Sequence, residues 1–552
     1  MSLEILQLFK TDAYKLSHKG FMVPNTTMIY SNETARSDKY LPVPKHMKDG
    51  KSVWFGGAAA VRNLRDSWNR LFFSKPWVQL EAELRRVFDA YLGVGKVDLA
   101  HFKELHELGY LPVQIKMLRE GSRVDLRVPY WTIRNTKQNF AWLTNYLETW
   151  LSATTWKPTT VATIIYHYRK LSNYWATKTT GSTAGTEFQN HDFSYRGMSD
   201  GDHDPAACGA AFLLSSCGTD NIPALPFIEY YYKTDITKTF VGTSVPASEH
   251  SLACAGIAFE GEEATMRRWI TKDYPTGIVS IIADTEDFFG VITETAVNLK
   301  EDILNRQPDS LGLAKVVFRP DSGNPVYIIT GYKVHKSAAK SLEEFNILHY
   351  DEALGEAEVY QIGDKYYLVE ANDDGYETRF DFKEVSEAEV KGAIQILWEI
   401  FGGTASATGY KVLHERVGLI YGDSITLERA EQIYSRLADK GFASTNVVLG
   451  VGSYTCQYLT RDSLGIAIKA TACAIGNDLY ALSKNPKTDD GTKKSAKGLL
   501  RVTQDEDGNF ILHDQQTWEQ EQEGLLETTF QDGNIIEANL DEFQVIRDRL
   551  WK

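Results

Sequence analysis

The feature that most constrains the fold is a series of short apolar runs, each ended by a glycine or an acid and followed by a helical pattern. A first run ends near Cys217, and the others are 279–283, 315–318, 417–421 and 446–449. Apart from one longer gap, successive ends are 29 (423 to 452) to 37 (284 to 321) residues apart, which are lengths of βα units. Continuous apolar strands are typical of parallel sheets with helices on both faces. The sequence therefore predicts an α/β fold.

The longer gap, from 321 to 423, has 102 residues and exceeds a single βα unit. Residues 326–385 contain four short β patterns separated by Gly, Asp and Asn turns, which predict a β-rich insertion. The helical pattern resumes at Ser386, where Ser386 and Glu389 have the spacing of a capping box.

The chain has 552 residues, so two or three domains are expected. Residues 1–185 have mixed patterns, with one helix predicted to start at Pro158, and are expected to form an N-terminal α+β domain. Residues 186–470 are expected to form the βα domain that contains the insertion. Residues 471–552 are expected to pack back on the N-terminal domain.

Charge and cysteine content disfavour several classes of function. Lys and Arg total 59 and Asp and Glu total 74, and the net charge of −15 disfavours binding to nucleic acid or to an anionic membrane. Five cysteines without CxxC spacing fit a reducing compartment and do not indicate a zinc site. No signal peptide or membrane-spanning apolar stretch is visible, so we expect a soluble cytoplasmic protein.

Acidic residues stand at the predicted carboxyl ends of the strands: Asp220, Asp284, Asp321 and Asp423, with Glu249 and His250 between the first two. A single Asp at such a place is usually a helix cap or a turn residue. Parallel strands end at one edge of a sheet or barrel, where ligands bind, so four such acids favour a shared site. A carboxylate-rich site suits a Mg²⁺-bound phosphate ligand or a ribose with two hydroxyl groups.

Candidate phosphate-binding groups lie nearer the C-terminus. Residues 450–453 (GVGS) follow an apolar strand, so their N–H groups could face an anion, although tight turns explain most such glycine pairs. The segment is neither a Walker A motif nor a complete dinucleotide fingerprint. The basic residues that follow suit either a solvated loop or a polyphosphate: Arg461, Lys469, Lys484, Lys487, Lys493, Lys494 and Lys497.

Several longer motifs occur in order along the chain. They are 11–15 (TDAYK), 191–197 (HDFSYRG), 218–220 (GTD), 244–251 (SVPASEHS), 319–325 (RPDSGNP), 422–423 (GD) and 459–462 (LTRD). The set resembles the nicotinamide phosphoribosyltransferases of the type II phosphoribosyltransferase family, from residue 10 to about residue 500 without the insertion. The motifs at 191–197 and 319–325 are long and specific.

The resemblance implies transfer of a 5-phosphoribosyl group from phosphoribosyl pyrophosphate to nicotinamide, which gives nicotinamide mononucleotide and pyrophosphate for NAD salvage. It also implies an irregular βα barrel and a homodimer with active sites shared between subunits. Mg²⁺ is expected mainly through pyrophosphate, near Asp284 and Asp321. ATP is expected as a co-substrate.

Residue roles follow from the matching motifs. Phe193 and Tyr14 of the partner subunit would hold the pyridine ring, and Asp220 would accept a hydrogen bond from its carboxamide. ATP would phosphorylate His250, with Asp284 orienting the imidazole.

Further catalytic roles are implied for Glu249 and Asp321. Substrate contacts are implied for Asp12, Ser280, Arg319, Asp321, Gly422 and Asp423. Phosphate contacts are implied for Arg196, Gly452, Ser453, Arg461, Lys469, Lys484 and Lys493.

Two positions depart from the vertebrate-type pattern: Ser453 replaces a glycine and Ala467 replaces a phosphate-contacting serine. Nicotinate is the alternative substrate, which Asp220 disfavours because it would repel the carboxylate of that base. A non-catalytic sensor of nucleotide or pyrophosphate is another alternative, which the presence of Glu249, His250 and Asp284 disfavours because a sensor does not need a phosphorylatable histidine.

Overall fold

The computed structural model describes residues 4–349, 358–373, 378–422, 424–484 and 495–552. The predicted site residues Asp423 and Lys493 lie outside these ranges, as do Lys487 and Lys494. Helices and strands are mixed along the described chain, which confirms the predicted α/β class.

The described strands form a seven-stranded, a six-stranded and a four-stranded sheet and three two-stranded pairs. In chain order they are β1 Thr26–Thr34, β2 Lys51–Val53, β3 Val113–Met117, β4 Arg123–Asp125, β5 Pro129–Asn135, β6 Asn190–Asp192, β7 Gly218–Thr219, β8 Val279–Ile282, β9 Val316–Arg319, β10 Val334–Lys336, β11 Glu358–Ile362, β12 Lys365–Asp373, β13 Thr378–Val385, β14 Gly403–Ala405, β15 Lys411–Leu413, β16 Val417–Tyr421, β17 Val447–Val451, β18 Ala467–Ile475, β19 Asp478–Ala481, β20 Leu499–Gln504, β21 Phe510–Gln516, β22 Glu527–Gln531 and β23 Asn534–Ile535.

The α-helices are α1 His18–Phe21, α2 Gly57–Trp68, α3 Trp77–Leu92, α4 Ala100–Leu108, α5 Ala141–Thr180, α6 His203–Phe212, α7 Ala224–Tyr232, α8 His250–Glu260, α9 Glu262–Arg268, α10 Phe288–Gly290, α11 Ala296–Asn298, α12 Lys300–Leu304, α13 Pro325–Thr330, α14 Leu342–Leu348, α15 Glu387–Lys391, α16 Ala393–Phe401, α17 Leu427–Asp439, α18 Ser453–Gln457, α19 Trp518–Gln522 and α20 Phe543–Trp551. In the described ranges, no helix combines the length and the apolar composition needed to cross a bilayer.

The seven-stranded sheet is antiparallel, with the order β19-β18-β1-β5-β3-β22-β23. Its strands come from both ends of the chain, so the C-terminal strands pack on the N-terminal part. The long inner strand β1 is largely buried because β5 and β18 flank it and α5 packs against it.

The prediction that a helix starts at Pro158 is wrong, because Pro158 lies inside the 40-residue helix α5. A proline inside a helix removes one backbone hydrogen bond and costs about 3 kcal/mol. Packing compensates for that cost here, since α5 buries most of its side chains against β1, α6 and α17.

The six-stranded sheet is parallel, with the order β7-β6-β17-β16-β9-β8. Residues 243–248 lie between its two edge strands: Thr243 bridges to Gly218 in β7, and Ala247 bridges to Ser280 in β8. These bridges link the two edges, so the sheet curls into the barrel-like arrangement that the resemblance implied.

Four apolar runs predicted as strands correspond to β8, β9, β16 and β17. The prediction of a strand in the first run is wrong, since residues 203–212 form α6 and only Gly218–Thr219 is extended. The apolar pattern also misses β6, because Asn190–Asp192 is polar, although it pairs with both β7 and β17.

The predicted insertion forms the four-stranded sheet β10-β11-β12-β13, with a small core of its own that includes Phe345, Tyr360 and Val369. Its predicted start at 326 is wrong, because residues 325–330 form α13, where Asn324 caps the helix and Pro325 occupies its first turn. The predicted capping box of Ser386 and Glu389 is confirmed at the start of α15.

Two glycines form the neck of the insertion. The chain leaves at Gly331 (φ 70°) and returns at Gly392 (φ 78°), and the Tyr332 N–H donates to the carbonyl of Val390 at 3.0 Å. A Cβ on Gly392 would lie 2.8 Å from Gly331 Cα and closer still to its nitrogen, so the two backbones cross only because both residues lack side chains.

Gly392→Ala should therefore destabilise the protein strongly. The matched control is Gly402→Ala, because Gly402 has a similar positive φ of 69° but a Cβ added there would meet no atom within 4 Å. We expect the Gly392 variant to lose about 2 kcal/mol more unfolding free energy than the control, measured by chemical denaturation. Equal losses would show that the neck tolerates a side chain.

Candidate active site

The carboxyl ends of β8 and β9 bring His250, Asp284 and Asp321 together. His250 begins α8, directly after the segment that bridges the sheet edges. Its Nε2 lies 3.1 Å from Asp321 Oδ1 and 3.6 Å from Asp284 Oδ1. Its Nδ1 lies 3.1 Å from Thr285 Oγ1. The three predicted residues thus form one cluster, as side chains at a common sheet edge do.

Asp284 anchors this cluster. Its side chain is only 3% exposed, and its Oδ2 accepts hydrogen bonds from the backbone N–H groups of Asp321 (2.9 Å) and Ser322 (2.8 Å) and from the Ser322 hydroxyl (2.6 Å). Asp284 therefore ties the end of β8 to the loop after β9. Asp321 is nearer than Asp284 to the Nε2 atom of His250, and Thr285 contacts the other ring nitrogen, so three side chains surround the imidazole.

Asp220 lies beside donors that keep it ionised. It accepts hydrogen bonds from His191 Nε2 (2.9 Å) and the Ser244 hydroxyl (2.5 Å). Burial acts to raise the pKa of Asp220, but these hydrogen bonds and the charges of His191 and Arg319 lower it below its ordinary value. Arg319, whose guanidinium donates to the carbonyl of Ser248, brings a positive charge to the same edge.

Phe193 follows β6 at the same edge. Its N–H donates to the carbonyl of Val451 at 3.0 Å, and its ring centroid lies 4.6 Å from that of His191. A Cβ on Gly450 would lie 2.9 Å from Phe193 Cδ2, so the glycine makes room for the ring.

The loop that carries Arg196 rests on the turn at Gly452 and Ser453. Gly197 packs directly against the Ser453 side chain, where a Cβ would overlap it. Burial lowers the pKa of the Arg319 guanidinium, and Arg196 is close enough for its charge to lower that pKa further. Motifs far apart in sequence therefore meet at one edge of the sheet.

Three further predicted residues occupy different positions around the cluster. Ser280 is 4% exposed, and its hydroxyl makes no hydrogen bond within the described part of the chain. Gly422 adjoins Asp321, since a Cβ there would lie 3.1 Å from Asp321 Cβ. Glu249 precedes α8 and accepts from the Ser251 hydroxyl, so its described contact is away from the imidazole.

The remaining predicted residues belong to a second group, near α5 and the seven-stranded sheet. Asp12 accepts a hydrogen bond from the Thr149 hydroxyl at 2.7 Å, and Tyr14 is 60% exposed. Beside them Lys15 forms an ion pair of 2.7 Å with Glu148, on α5.

Cations gather at the same sheet, around Lys469 on β18. Burial lowers the pKa of Lys469 below its ordinary value, and the charge of Glu148 opposes this. Three neighbouring cations lower that pKa further: Arg36, Lys484 and Arg461. We call these three residues and Lys469 the basic cluster.

One chain therefore carries two groups of residues. The first, which we call the acidic group, lies at the parallel sheet edge and consists of Asp220, His250, Asp284 and Asp321. The second is the basic cluster at the antiparallel sheet. Sequence reasoning assigned no role to His191, Ser244, Thr285 or Arg36, which the structure adds to these groups. His191 and Ser244 stand inside the motifs, and Thr285 directly follows Asp284, so adjacency to a motif was the available signal.

Residues 188–534 match the model of the nicotinate phosphoribosyltransferase (NAPRTase) family. The chain belongs to this family. A nicotinamide phosphoribosyltransferase of Acinetobacter baylyi is 46% identical over 552 residues, 100% of this chain and 98% of the relative. Another of Mycoplasma pneumoniae is 30% identical over 89% of this chain and 94% of the relative.

A solved structure shows a related fold. The nicotinate-nucleotide pyrophosphorylase from Pyrococcus furiosus matches 100% of this chain and 97% of its own, with a TM-score of 0.50 and 12% identity. Membership of the NAPRTase family confirms the predicted class of enzyme, a phosphoribosyltransferase.

The acidic group of this NAPRTase-family protein offers carboxylate oxygens of the kind that Mg²⁺ prefers. Within the described chain Asp284 Oδ1 makes no hydrogen bond, and one ligand atom from each of His250, Asp284 and Asp321 lies within 4.8 Å of the others. Mg²⁺ prefers oxygen ligands and usually binds one or two carboxylates plus substrate phosphates. Asp284 and Asp321 fit that pattern.

Asp284→Ala should destabilise the protein more than Asp321→Ala. The first change removes a nearly buried carboxylate that accepts three hydrogen bonds and should cost about 2 to 4 kcal/mol. The matched control removes a carboxylate that is 37% exposed and should cost about 1 kcal/mol or less. Chemical denaturation of both variants measures their unfolding free energies. Similar values would contradict the anchoring role of Asp284.

Proposed function

We propose that the protein is a nicotinamide phosphoribosyltransferase, coupled to ATP hydrolysis through a phosphohistidine. The observation that carries the choice of base is the ionised Asp220, held by His191 and Ser244 at the sheet edge near Phe193. The names of the two relatives support the same choice.

The base is selected by charge and by shape. A carboxylate at Asp220 accepts a hydrogen bond from an uncharged amide, whereas it repels the carboxylate of nicotinate. The Phe193 ring provides an apolar face for the pyridine ring, as aromatic pairs favour stacked contacts. The hydroxyl of Ser280 in β8, which makes no hydrogen bond within the described part of the chain, supplies one further polar group.

Transfer breaks the bond between ribose C1 and the pyrophosphate oxygen, which leaves with the electron pair, and the pyridine nitrogen forms the new bond. Positive charge develops on the ribose carbon, and the carboxylate of Asp321 at the edge of the parallel sheet stabilises that charge. Mg²⁺, when bound with the substrate, neutralises charge on the leaving pyrophosphate. Arg196 and Arg319 supply positive charge at the same edge.

His250 has the arrangement of a phosphate acceptor. Two carboxylates face its Nε2, so we assign the proton to that nitrogen, which leaves a lone pair on Nδ1. Nδ1 would attack the γ-phosphorus of ATP, forming the N–P bond as the bond to the bridging oxygen breaks and ADP leaves with the electron pair. Water later cleaves the N–P bond and releases phosphate.

The active site would be completed by a second copy of the chain. The acidic group and the basic cluster stand on different sheets, yet a polyphosphate substrate needs carboxylates at its ribose and cations at its phosphates. A homodimer in which Tyr14 and the basic cluster of one subunit face the acidic group of the other would supply both.

Nicotinate transfer is the second candidate, because the matching family carries the name of that activity. It conflicts with Asp220, since a second carboxylate opposite an ionised one costs several kcal/mol unless a cation separates them. Arg319 is near, but its charge already interacts with Asp321, Asp220 and Asp284, and its guanidinium donates to the carbonyl of Ser248.

Asp220→Asn should reduce the preference for nicotinamide. We expect the ratio of kcat/KM for nicotinamide to that for nicotinate to fall at least 10-fold, because the repulsion of the acid is removed. Steady-state assays with each base measure it, and Asp235→Asn, an exposed aspartate outside the site, is the control. An unchanged ratio would contradict the role of Asp220.

His250→Ala should abolish labelling of the protein by γ-³²P ATP and the stimulation of transfer by ATP. Basal transfer should persist at a reduced rate, since His250 does not contact the pyridine nitrogen in this account. His46→Ala, which changes an exposed histidine paired with Glu431, should keep the acid-labile label. A label that survives His250→Ala would place the phosphate elsewhere.

A further inference from the structure

Arg127 has a backbone conformation that few residues other than glycine adopt. It lies in the turn between β4 and β5 with a φ of 72°, and its N–H donates to the carbonyl of Ala35 at 2.7 Å. That hydrogen bond holds the Arg127 backbone against the end of β1, next to Arg36. A side chain kept at a left-handed position often has a functional reason.

The pocket beside this turn is basic. It has a volume of about 240 Å³, several times the roughly 30 Å³ that a water molecule occupies in the liquid. Among the described residues, no carboxylate lines it, although the chain has a net charge of −15. Three cations and three neutral polar residues line it: Arg36, Arg127, Lys469, Asn32, Thr34 and Ser495.

The charge of Arg127 is not neutralised by its neighbours. Its guanidinium has no hydrogen bond or ion pair with any residue of the described chain, and the residue is exposed. The nearest acid in sequence, Asp125, is occupied by Lys51 Nζ at 3.2 Å and by the N–H of Phe510 at 2.7 Å. Arg127 therefore brings to the pocket a positive charge and hydrogen-bond donors that no described residue satisfies and that an anion would satisfy.

We propose that Arg127, together with Arg36 and Lys469, binds a phosphate group of a polyphosphate ligand in this pocket. The proposal deepens the proposed function and rests on it, because pyrophosphate, phosphoribosyl pyrophosphate and ATP all carry that group. Arg127 adds a planar donor to the basic cluster, which sequence motifs did not indicate.

Arg127→Gly tests the assignment with little risk to folding, since glycine adopts a φ of 72° without strain. We expect its melting temperature to stay at or above that of the parent protein. The Kd for pyrophosphate, measured by calorimetry, should rise about 10-fold, as loss of one charged hydrogen-bonding partner does. Arg127→Lys, which keeps the charge but not the planar donor, should be intermediate.

Two matched controls separate the causes. Asn25→Gly relieves a similar positive φ of 63° without loss of charge, and Arg85→Gln removes an exposed arginine on α3; neither should change the Kd. Separate titrations with pyrophosphate, phosphoribosyl pyrophosphate and ATP identify the source of the phosphate, because it is the ligand for which Arg127→Gly loses affinity. Unchanged affinity for all three would overturn the proposal.

The same experiment distinguishes failure of the role of Arg127 from failure of the proposed transferase function. If the parent protein turns over nicotinamide and Arg127→Gly has the same KM for phosphoribosyl pyrophosphate and the same Kd values, only the role of Arg127 fails. If the parent protein has no transferase activity on either base, the proposed function fails, whereas the pyrophosphate titration still measures the pocket.

Discussion

The curled parallel sheet is the constraint on which the site depends. Because residues 243–248 bridge β7 to β8, strands far apart in sequence end close to one another, and their polar side chains share one edge. Such crowding of carboxylates would be unfavourable without compensation. Asp284 is compensated by backbone N–H groups and Asp220 by His191 and Ser244, so the fold itself supplies the donors.

The two sheets have complementary electrostatic roles. The parallel sheet edge presents carboxylates and a histidine together with Arg196 and Arg319, while the antiparallel sheet presents the basic cluster. A phosphoribosyl donor, with a cationic transition state at one end and a polyanion at the other, matches such a division.

Much of this arrangement could be predicted from sequence, because buried strands are continuous apolar runs and their ends are marked by acids and glycines. Asp284 and Asp321 were found for that reason. Strand β6 could not be found in this way, since it is short and polar, and α6 was mistaken for a strand because helices buried on all sides are equally apolar.

The hydrogen-bond partners of side chains were less predictable than the places of residues at the strand ends. A serine, threonine or histidine in a loop carries no periodic signal, so the contacts of Ser244, Thr285 and His191 depend on tertiary structure. The same holds for Pro158, whose place inside α5 is decided by packing rather than by local preference.

The most direct test of the account is the activity of the purified protein with phosphoribosyl pyrophosphate and Mg²⁺ on each base, with and without ATP. The account predicts that nicotinamide is converted to its mononucleotide with a kcat/KM at least about 100-fold above that for nicotinate, and that ATP increases the yield. Equal turnover of the two bases, or preference for the acid, would contradict it.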